Sequence, residues 1–464
     1  TFNLNDPRKL TGMYTDEEIK DMSDEEYRNN LYSLWTNYCV SESYEPGSTF
    51  KPVTVASALE EGVVKDGDTY VCKGFETVAD YKLKCHVFST IGSHGSLTVE
   101  QALMNSCNPY FITIGQRLGV DTFYKYFEAF GFTEETGIDL PGEASPKAGV
   151  TYFKKDTMTK VNLASSSFGQ SFQITPIQMI TAVNAIANDG KLMQPYIVSK
   201  TLDSDGNVIL QNQPIEKRQV VSESTSEKIM ASMEQVALNG TARNAYVAGY
   251  RVGGKTGTSD KLNNVGQVVA SFVGVAPTND PRITVLIVVD EPEGATGGGA
   301  VAAPVAGEVI ENTLTYLNVE RQYNDSEKAL LDVQVPSVTG DSVSEAKSSL
   351  EEDKFSVQIV GEGDKVLSQM PASGQYIPQG GVIVLYTEKQ KKKMKTVVPD
   401  FTGMTITEAN YAAVNAGINI KVSGNSLSEE SMTAYRQSSL KGSEVESGST
   451  VTVYFRTTSG VSDH

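Results

Sequence analysis

The sequence predicts a mixed α/β (α+β) protein, in which helices flank an antiparallel sheet and two small α+β modules follow. Helical periodicity and β-rich runs are mixed over residues 1 to about 320, a mixture typical of a sheet covered by helices. Two of the β-rich runs are separated by only a short turn. Beyond residue 325, one sequence pattern occurs twice with a period of 63 residues, which indicates a repeated module.

Three segments carry the prediction for the first part of the chain. The apolar spacing of "SLTVEQALMNSCNPYFITIGQRLG" (96–119) is helical, whereas "ASFVGVAP" (270–277) and "RITVLIVVD" (282–290) have the composition of strands. Because the "PTNDP" between the two strands is a short turn, we expect them to pair antiparallel as a hairpin.

The repeated pattern begins with "VPSVTG" (335–340) and again with "VPDFTG" (398–403). Each copy continues with a short helical pattern and alternating strands that end in "VIVLY" or "VTVYF". The sequence therefore predicts three domains, over residues 1–325, 333–388 and 396–457. The lysine-rich run "KQKKKMK" (389–395) is interpreted as a solvated linker between the modules.

Composition and charge disfavour several classes of protein. The chain has 464 residues, 39% of them hydrophobic, and a net charge of −18, so an extended nucleic-acid partner is disfavoured. No run reaches the 18 or so apolar residues of a membrane span. The start, "TFNLNDPRKL", has neither an initiator methionine nor the character of a signal peptide, so we expect a soluble piece of a longer protein or a mature product.

The stretch "YEPGSTFKPVTVASALEEG" (44–62) places Ser48 and Lys51 three positions apart, where a turn meets an apolar-periodic run. Residues at this spacing share one face of a helix. Serine is a weak nucleophile that needs a base, and a lysine with a lowered pKa can supply one. By itself this pair is more often an N-cap followed by a surface lysine.

Two further motifs favour a catalytic role for Ser48 and Lys51 over the N-cap interpretation. Ser106 and Asn108 lie in "NSCNPYF", and Lys255-Thr256-Gly257-Thr258 lie in "VGGKTGTSD" before the predicted hairpin. Serine-x-x-lysine, serine-x-asparagine and lysine-threonine-glycine in this order resemble the active-site motifs of penicillin-binding proteins and serine β-lactamases.

The resemblance to the transpeptidase domain of class B penicillin-binding proteins covers residues 30 to 320 and includes "STFKP", "SFGQSFQITPIQM" (167–179) and "KTGTSD...ASFVGVAP". It implies a penicillin-binding-protein/β-lactamase-like fold. The sequence departs from the family at Ser167 and Ser171, where glycines are common. A β-lactamase would also need a carboxylate that activates water, and no such element is evident between residues 145 and 170.

The resemblance implies a serine D,D-transpeptidase, with a role for each motif. Ser48 attacks the carbonyl of the penultimate D-alanine in a peptidoglycan stem peptide, and Lys51 takes its proton. Ser106 relays a proton to the leaving amine, while Asn108 holds the Lys51 ammonium and a substrate amide. β-Lactams would acylate the same serine.

The third motif is expected to bind substrate. Lys255 offers positive charge to the terminal carboxylate, and Thr256 and Thr258 offer hydroxyls. Gly257 allows an edge strand to approach the ligand. The backbone N–H groups of Ser48 and Thr258 are the expected oxyanion hole.

The two modules resemble PASTA domains, although the second has Leu440 where proline is usual. The combination is similar to Gram-positive division and spore-cortex enzymes. It implies an extracytoplasmic protein anchored through an N-terminal membrane segment absent from this chain, a membrane partner that polymerises glycan, and chemistry that needs no cofactor. A penicillin-binding sensor or wall-binding scaffold with little activity is the alternative.

Cysteines and histidines cluster between residues 72 and 107. Cys72 and Cys85 have a usable spacing for a structural zinc site with His94 and Asp80 as further ligands, and His86 is the next candidate. A Cys72–Cys85 disulfide and two unpaired thiols remain alternatives. Cys107, inside the second motif, is interpreted as a small buried hydrophobic residue.

Overall fold

The protein is described by a computed structural model that covers residues 21–261, 266–322, 333–353, 355–377, 380–388, 394–424 and 432–457. Most of the predicted lysine-rich linker, residues 389–393, lies outside these ranges. The chain divides into two compact units. The first comprises Thr1–Met230, Gly257–Val273 and Val288–Glu293, and the second comprises Ala231–Thr256, Gly274–Ile287 and Gly294–His464.

The α-helices of the described residues are numbered in chain order. They are α1 (Asp24–Trp35), α2 (Tyr38–Ser41), α3 (Lys51–Glu60), α4 (Val99–Met104), α5 (Asn108–Ala129), α6 (Lys160–Ser166), α7 (Pro176–Ala187), α8 (Glu223–Asn239), α9 (Gly298–Tyr316), α10 (Val343–Glu352) and α11 (Ile406–Asn415). Among these helices, none is long and apolar enough to cross a membrane.

The strands of the first 322 residues are likewise numbered in chain order. They are β1 (Thr69–Cys72), β2 (Phe75–Val78), β3 (Tyr81–Lys84), β4 (Gly95–Thr98), β5 (Lys191–Gln194), β6 (Lys200–Leu202), β7 (Val208–Gln211), β8 (Ile215–Gln219), β9 (Gly253–Asp260), β10 (Val268–Ala276) and β11 (Ile283–Asp290).

The predicted hairpin is present in a three-stranded sheet of order β11–β10–β9. Only six residues, 277–282, connect β10 to β11, which is too short for a parallel crossover, so the two strands are antiparallel. The third motif lies on β9, which is an edge strand of this sheet. An edge strand leaves one row of backbone groups available to a ligand.

The first unit is built around α3, the helix that begins at Lys51. Its residues from Lys51 to Ala58 are buried, and it packs against α5. Phe50, directly before α3, makes ring contacts with Phe123, Phe127, Phe132 and Phe172 at centroid distances of 4.9–6.2 Å. Large aromatic rings bury much apolar surface in fixed geometry, so this cluster holds the start of α3 in place.

The helix predicted over residues 96–119 is wrong in two respects, because residues 96–98 belong to β4 and the rest is not one continuous helix. The structure has two helices, α4 and α5, separated by a break at Asn105–Cys107. Ser106 in the break has a φ of 53°, a left-handed conformation that ends a helix. Apolar residues continue at helical spacing on both sides, so periodicity alone could not reveal the break.

The second unit has its own core, together with the two modules. A cluster of buried side chains joins α8, β10 and α9: Ala237, Val247, Tyr250, Val252, Ala276, Ile310 and Leu314. Glu308 of α9 accepts hydrogen bonds from Tyr435 Oη (3.0 Å) and Arg436 Nη2 (3.1 Å) of the second module. The second module is therefore in direct polar contact with α9.

The two modules have the same topology. Their strands are β12 (Val333–Gln334), β13 (Ser356–Val360), β14 (Ser368–Met370), β15 (Tyr376–Ile377) and β16 (Val382–Tyr386) in the first module, and β17 (Lys395–Val397), β18 (Asn419–Gly424), β19 (Met432–Gln437), β20 (Glu444–Glu446) and β21 (Thr450–Thr457) in the second. In each, the last strand pairs parallel with the strand after the helix and antiparallel with the next. The predicted repeat of a small α+β module is thus seen in the fold.

Candidate active site

Ser48 lies in a single 3₁₀ turn, Gly47–Phe50, directly before α3. Side chains at i and i+3 of a 3₁₀ turn eclipse each other, so this turn aligns Ser48 with Lys51. Gly47 has a φ of 54°, and a Cβ there would lie 3.0 Å from Thr258 O. The glycine therefore allows the chain to turn sharply beneath β9 and present Ser48 at the end of the helix.

Lys51 is fully buried. Its Nζ donates hydrogen bonds to Ser106 O (2.8 Å), Ser106 Oγ (2.9 Å) and Asn108 Oδ1 (2.7 Å). The Phe111 ring lies 5.1 Å from the same nitrogen. A buried amine needs several polar partners to offset the loss of water, and the second motif supplies them.

The break between α4 and α5 shapes the second motif. The left-handed backbone at Ser106 directs both its carbonyl and its hydroxyl oxygen to Lys51. Asn108 is the first residue of α5, and Pro109 follows it, a position where proline suits a helix start. The Ser106 hydroxyl also donates to Ser48 Oγ at 3.1 Å. A proton route therefore connects Ser48, Ser106 and Lys51.

Gly257 of the third motif lies close to the segment that precedes Ser48. A Cβ on Gly257 would be 2.6 Å from Ser271 Oγ and 2.9 Å from Pro46 O, distances that side chains do not tolerate. Ser259 Oγ donates to Glu45 O at 2.7 Å. The glycine thus allows β9 to lie directly on the turn that carries the first motif, which brings Thr258 beside Gly47.

Lys255 and Thr256, the preceding residues of β9, are both fully buried. Lys255 Nζ donates to Thr256 O at 3.0 Å and lies 3.4 Å from Thr256 Oγ1 and 3.5 Å from Thr241 Oγ1. Thr256 Oγ1 donates to Thr241 Oγ1 at 2.8 Å. Thr241 belongs to none of the motifs in the sequence, and no signal there singles it out.

The two departures from the family pattern have structural accounts. Ser171 has a φ of 67°, which explains why glycine is usual at this position. Its N–H donates to Glu45 Oε1 at 2.9 Å. Burial raises the pKa of Glu45, while this N–H lowers it. A Cβ on Gly115 of α5 would lie only 2.4 Å from Ser167 Cβ. Because the glycine has no side chain, it leaves room for the side chain of Ser167.

The cysteine and histidine cluster is also assembled by the fold. One side-chain atom each of Cys72, Cys85, His94 and Cys107 lies within 4.8 Å of all the others. β1 pairs with β4 so that Cys72 faces Gly95, next to His94. The three thiols are buried, and Cys85 Sγ is 3.5 Å from His94 Nδ1.

For one residue of this cluster the sequence expectation is corrected. Asp80, in the turn between β2 and β3, is not part of the group, and Cys107 takes the fourth position. Cys107 lies in the break between α4 and α5, beside Ser106, and the break turns its side chain toward the other thiols. Each of the four cysteines of the chain is a free thiol, so the structure does not contain the Cys72–Cys85 disulfide.

Hydrogen bonding within the cluster shifts the acidity of its members. A hydrogen bond with Cys107 lowers the pKa of Cys72 to about 6, against the effect of burial. The pKa of Cys85 is lowered by the same neighbour and by His86 and His94. Burial lowers the pKa of His94, but hydrogen bonding to Cys85 outweighs this effect and raises the pKa overall. The pKa of Cys107 is raised by its hydrogen bonds with Cys72 and Cys85 and by burial. Because thiolates and neutral imidazoles are the forms that bind metal, the shifts of Cys72 and Cys85 favour metal binding and those of His94 and Cys107 oppose it.

Comparison with known proteins places these motifs in a family. A family model described as penicillin binding protein transpeptidase domain matches residues 14–311, and the PASTA domain model matches residues 333–389 and 396–457. Stage V sporulation protein D of Bacillus subtilis is 40% identical over 369 residues, which cover 77% of this chain and 56% of that protein.

Two further relatives are more distant. Peptidoglycan D,D-transpeptidase FtsI of Escherichia coli is 28% identical over 61% of this chain and 46% of its own length. The structure of penicillin-binding protein 3 from Mycobacterium tuberculosis complexed with ampicillin has a TM-score of 0.57 and 26% identity, and covers 62% of this chain and 66% of that one. The chain spans about half the length of the curated relatives it matches.

Proposed function

Since the chain belongs to the penicillin-binding protein transpeptidase family, we propose that it is a serine D,D-transpeptidase. It cross-links peptidoglycan stem peptides through an acyl-enzyme on Ser48 and is acylated there by β-lactams. The observation that carries the proposal is the hydrogen-bonded set of Ser48, Ser106, Lys51 and Asn108. Residues 1–325 carry this chemistry, and residues 333–388 and 396–457 form the two PASTA domains.

Acylation begins when Ser48 Oγ bonds to the carbonyl carbon of the penultimate D-alanine. The serine proton passes to Lys51, either directly or through the Ser106 hydroxyl, which lies within hydrogen-bond distance of both groups. The oxyanion is stabilised by the N–H groups of Ser48 and Thr258, each worth roughly 10²–10³ in rate. The peptide bond to the terminal D-alanine then breaks, and Ser106 relays the proton to the leaving amine.

The second half of the reaction reverses these roles. The amine of another stem peptide attacks the Ser48 ester, and Lys51 removes a proton from that amine. The new peptide bond forms as the ester bond to Ser48 Oγ breaks, and Lys51 passes the proton to that oxygen. Asn108 Oδ1 holds the Lys51 ammonium, while its amide nitrogen is a donor for a substrate carbonyl. Lys255, Thr256 and Thr258 bind the terminal carboxylate of the donor peptide.

The resemblance and the names of the relatives support a proposal for location and partners. The chain acts outside the cytoplasm, held to the membrane by a segment that precedes it, with a glycan-polymerising protein as partner. The name of the Bacillus relative concerns sporulation, which supports a role in spore formation, and a role in cell division is the alternative. The PASTA domains are proposed to contact the wall.

A transpeptidation assay tests the activity. A stem pentapeptide is supplied as donor with a second stem peptide as acceptor, and wild type is compared with Ser48→Ala. We expect release of one D-alanine per cross-linked product, lost in the variant. Penicillin labelling without any cross-linking or D-alanine release would favour the sensor or scaffold instead. Rapid turnover of a β-lactam at catalytic enzyme concentration would favour a β-lactamase.

A second proposal concerns the cluster of Cys72, Cys85, His94 and Cys107, which we assign as the ligands of a structural zinc ion. Three sulfurs and one imidazole nitrogen form a tetrahedral donor set that zinc prefers. Their mutual separation of up to 4.8 Å needs only a small contraction to reach the roughly 3.3–3.8 Å between ligands of a tetrahedral site. Bound zinc would hold the break that carries Ser106.

Elemental analysis of protein purified without chelator tests this assignment. We expect about one zinc per chain, lost in Cys72→Ser and Cys107→Ser. Two matched variants should retain the metal: Cys39→Ser, at an exposed cysteine outside the cluster, and Asp80→Asn. Metal-free protein whose mass rises by two protons on reduction would indicate a disulfide and contradict the assignment.

A further inference from the structure

Thr241 lies just beyond the end of α8, in a segment that no motif marks. Its hydroxyl oxygen accepts a hydrogen bond from Thr256 Oγ1 at 2.8 Å and lies 3.5 Å from Lys255 Nζ. It therefore contacts both of the polar side chains that the third motif places in its first two positions. The residue is itself buried, with 8% of its surface exposed.

The position of Thr241 is fixed by α9. A Cβ on Gly299, in the first turn of α9, would lie 2.6 Å from Thr241 O and 3.7 Å from Thr256 Cγ2. Asn244 Nδ2 donates to Gly299 O at 2.8 Å and so ties the same segment to the helix. These contacts hold the backbone of Thr241 at close range to α9, so the backbone from which the hydroxyl projects cannot move away without displacing that helix.

The environment of Lys255 explains why its contact with Thr241 matters for the orientation of the ammonium group. An ammonium group has three donors and no acceptor, and Lys255 is fully buried, so its direction depends on the acceptors around it. Thr256 O, Thr256 Oγ1 and Thr241 Oγ1 all lie within 3.5 Å of Nζ. Of these, Thr241 is the one that the motif itself does not supply.

The orientation of the Thr256 hydroxyl depends on the same residue. Its proton is donated to Thr241, which fixes the rotation of the hydroxyl group about the Cβ–Oγ1 bond. A group held in one orientation before the ligand arrives loses less entropy on binding. Thr241 therefore has the geometry to align both polar members of the motif at once.

We propose that Thr241 is a positioning residue for carboxylate recognition, which acts through Lys255 and Thr256 without touching the substrate. This inference rests on the proposed function, because it assigns Lys255 and Thr256 to the terminal carboxylate of the donor peptide or of a β-lactam. It adds to the three motifs a fourth element that belongs to the segment following α8.

The test compares Thr241→Val, which removes the hydroxyl at nearly constant volume, with Thr241→Ser, which retains it. The second-order rate of acylation is measured with benzylpenicillin and with its methyl ester, which lacks the carboxylate. We expect Thr241→Val to lower the penicillin rate about 10- to 100-fold, as removal of a hydrogen bond to a charged group does, and to leave the ester rate unchanged. Thr241→Ser should stay within about threefold of wild type.

Thr278→Val is the matched control. Thr278 has the same 8% exposure as Thr241, and its hydroxyl donates to Glu234 Oε2 at 2.6 Å. It should leave the ratio of the penicillin rate to the ester rate as in wild type. If Thr241→Val does not fold, as judged by its melting curve, Thr241→Ala carries the same comparison.

Each outcome has one meaning. An unchanged penicillin rate in Thr241→Val overturns the inference. Equal loss of the penicillin and ester rates also overturns it, because a general distortion of the site does not depend on the carboxylate. If wild-type protein is not acylated by penicillin at all, the proposed function has failed, and this result is distinct from either outcome for the variant.

Discussion

Ser106 donates a hydrogen bond of 3.1 Å to Ser48, across 58 positions of sequence. The same hydroxyl accepts from Lys51 Nζ at 2.9 Å. Ser106 therefore bridges the serine that is proposed to attack and the amine that is proposed to receive its proton. The left-handed backbone of Ser106 makes this bridge possible, since it turns the residue out of the path of a helix.

Replacement of Lys51 by arginine is expected to abolish acylation in a folded protein. Arginine retains the positive charge but does not give up its proton at neutral pH, so the general base is lost, which typically costs about 10²–10⁴ in rate. The rate of labelling by a fluorescent penicillin measures this. Lys125→Arg, at an exposed lysine paired with Glu61, should label at the wild-type rate.

A Lys51→Arg variant that is folded and labels at nearly the wild-type rate would show that another group is the base. Because the side chain at this position is buried, folding must be checked by circular dichroism. Lys51→Gln provides a second, smaller replacement that also lacks a basic group.

The two variants Ser106→Ala and Ser106→Gly separate the catalytic role of the hydroxyl from the strain of the backbone. Both lack the hydroxyl, so both should lose transpeptidation. Glycine accommodates a φ of 53° without penalty, whereas alanine does not, so Ser106→Gly should be more stable than Ser106→Ala by about 1 kcal/mol. Urea denaturation measures the difference, and equal stabilities would contradict the account of strain.

Ser171→Gly is expected to stabilise the protein by about 1 kcal/mol, because the serine has a φ of 67° and glycine adopts this conformation freely. The control is Ser165→Gly, within α6, where glycine should destabilise by a similar amount. Melting temperatures test this prediction, since Ser171→Gly should raise the melting temperature and Ser165→Gly should lower it. A decrease for Ser171→Gly would mean that the serine side chain makes a contribution larger than its backbone strain.

Much of this site could be predicted from the sequence, because Ser48, Lys51, Ser106 and Asn108 lie in short motifs whose spacing is fixed by local geometry. The break at Ser106 could not, since apolar periodicity continues across it. From the sequence alone, Cys107 is expected to be a buried core residue. A cysteine within an apolar segment has no local feature that identifies it as a metal ligand. Thr241 is 14 positions from Lys255, and the two meet only in the folded chain, where the segment of Thr241 packs against α9.

The contact between the two modules gives a prediction about stability. The buried Asn419 of the second module accepts from Val382 N (2.6 Å) and donates to Val382 O (2.9 Å) of the first. Asn419→Ala leaves both backbone groups without this partner, so we expect a loss of about 2–4 kcal/mol from the interface between the modules. Hydrogen exchange at the Val382 amide reports the loss directly.

Ser356 occupies the equivalent position in the first module, 63 residues earlier, and is exposed. It bonds to Gly380 O within its own module. Ser356→Ala should therefore leave exchange at Val382 unchanged. Unaltered protection of Val382 in Asn419→Ala would contradict the proposed contribution of the asparagine.

Mass spectrometry after incubation with penicillin tests whether Ser48 is the nucleophile. We expect a single adduct per chain, on the peptide that contains Ser48, and no adduct in Ser48→Ala. The adduct should persist for many minutes after free drug is removed, because the sequence between residues 145 and 170 offers no evident carboxylate element that would activate water for deacylation. Folded protein in which the Ser48 peptide remains unmodified would contradict the mechanism.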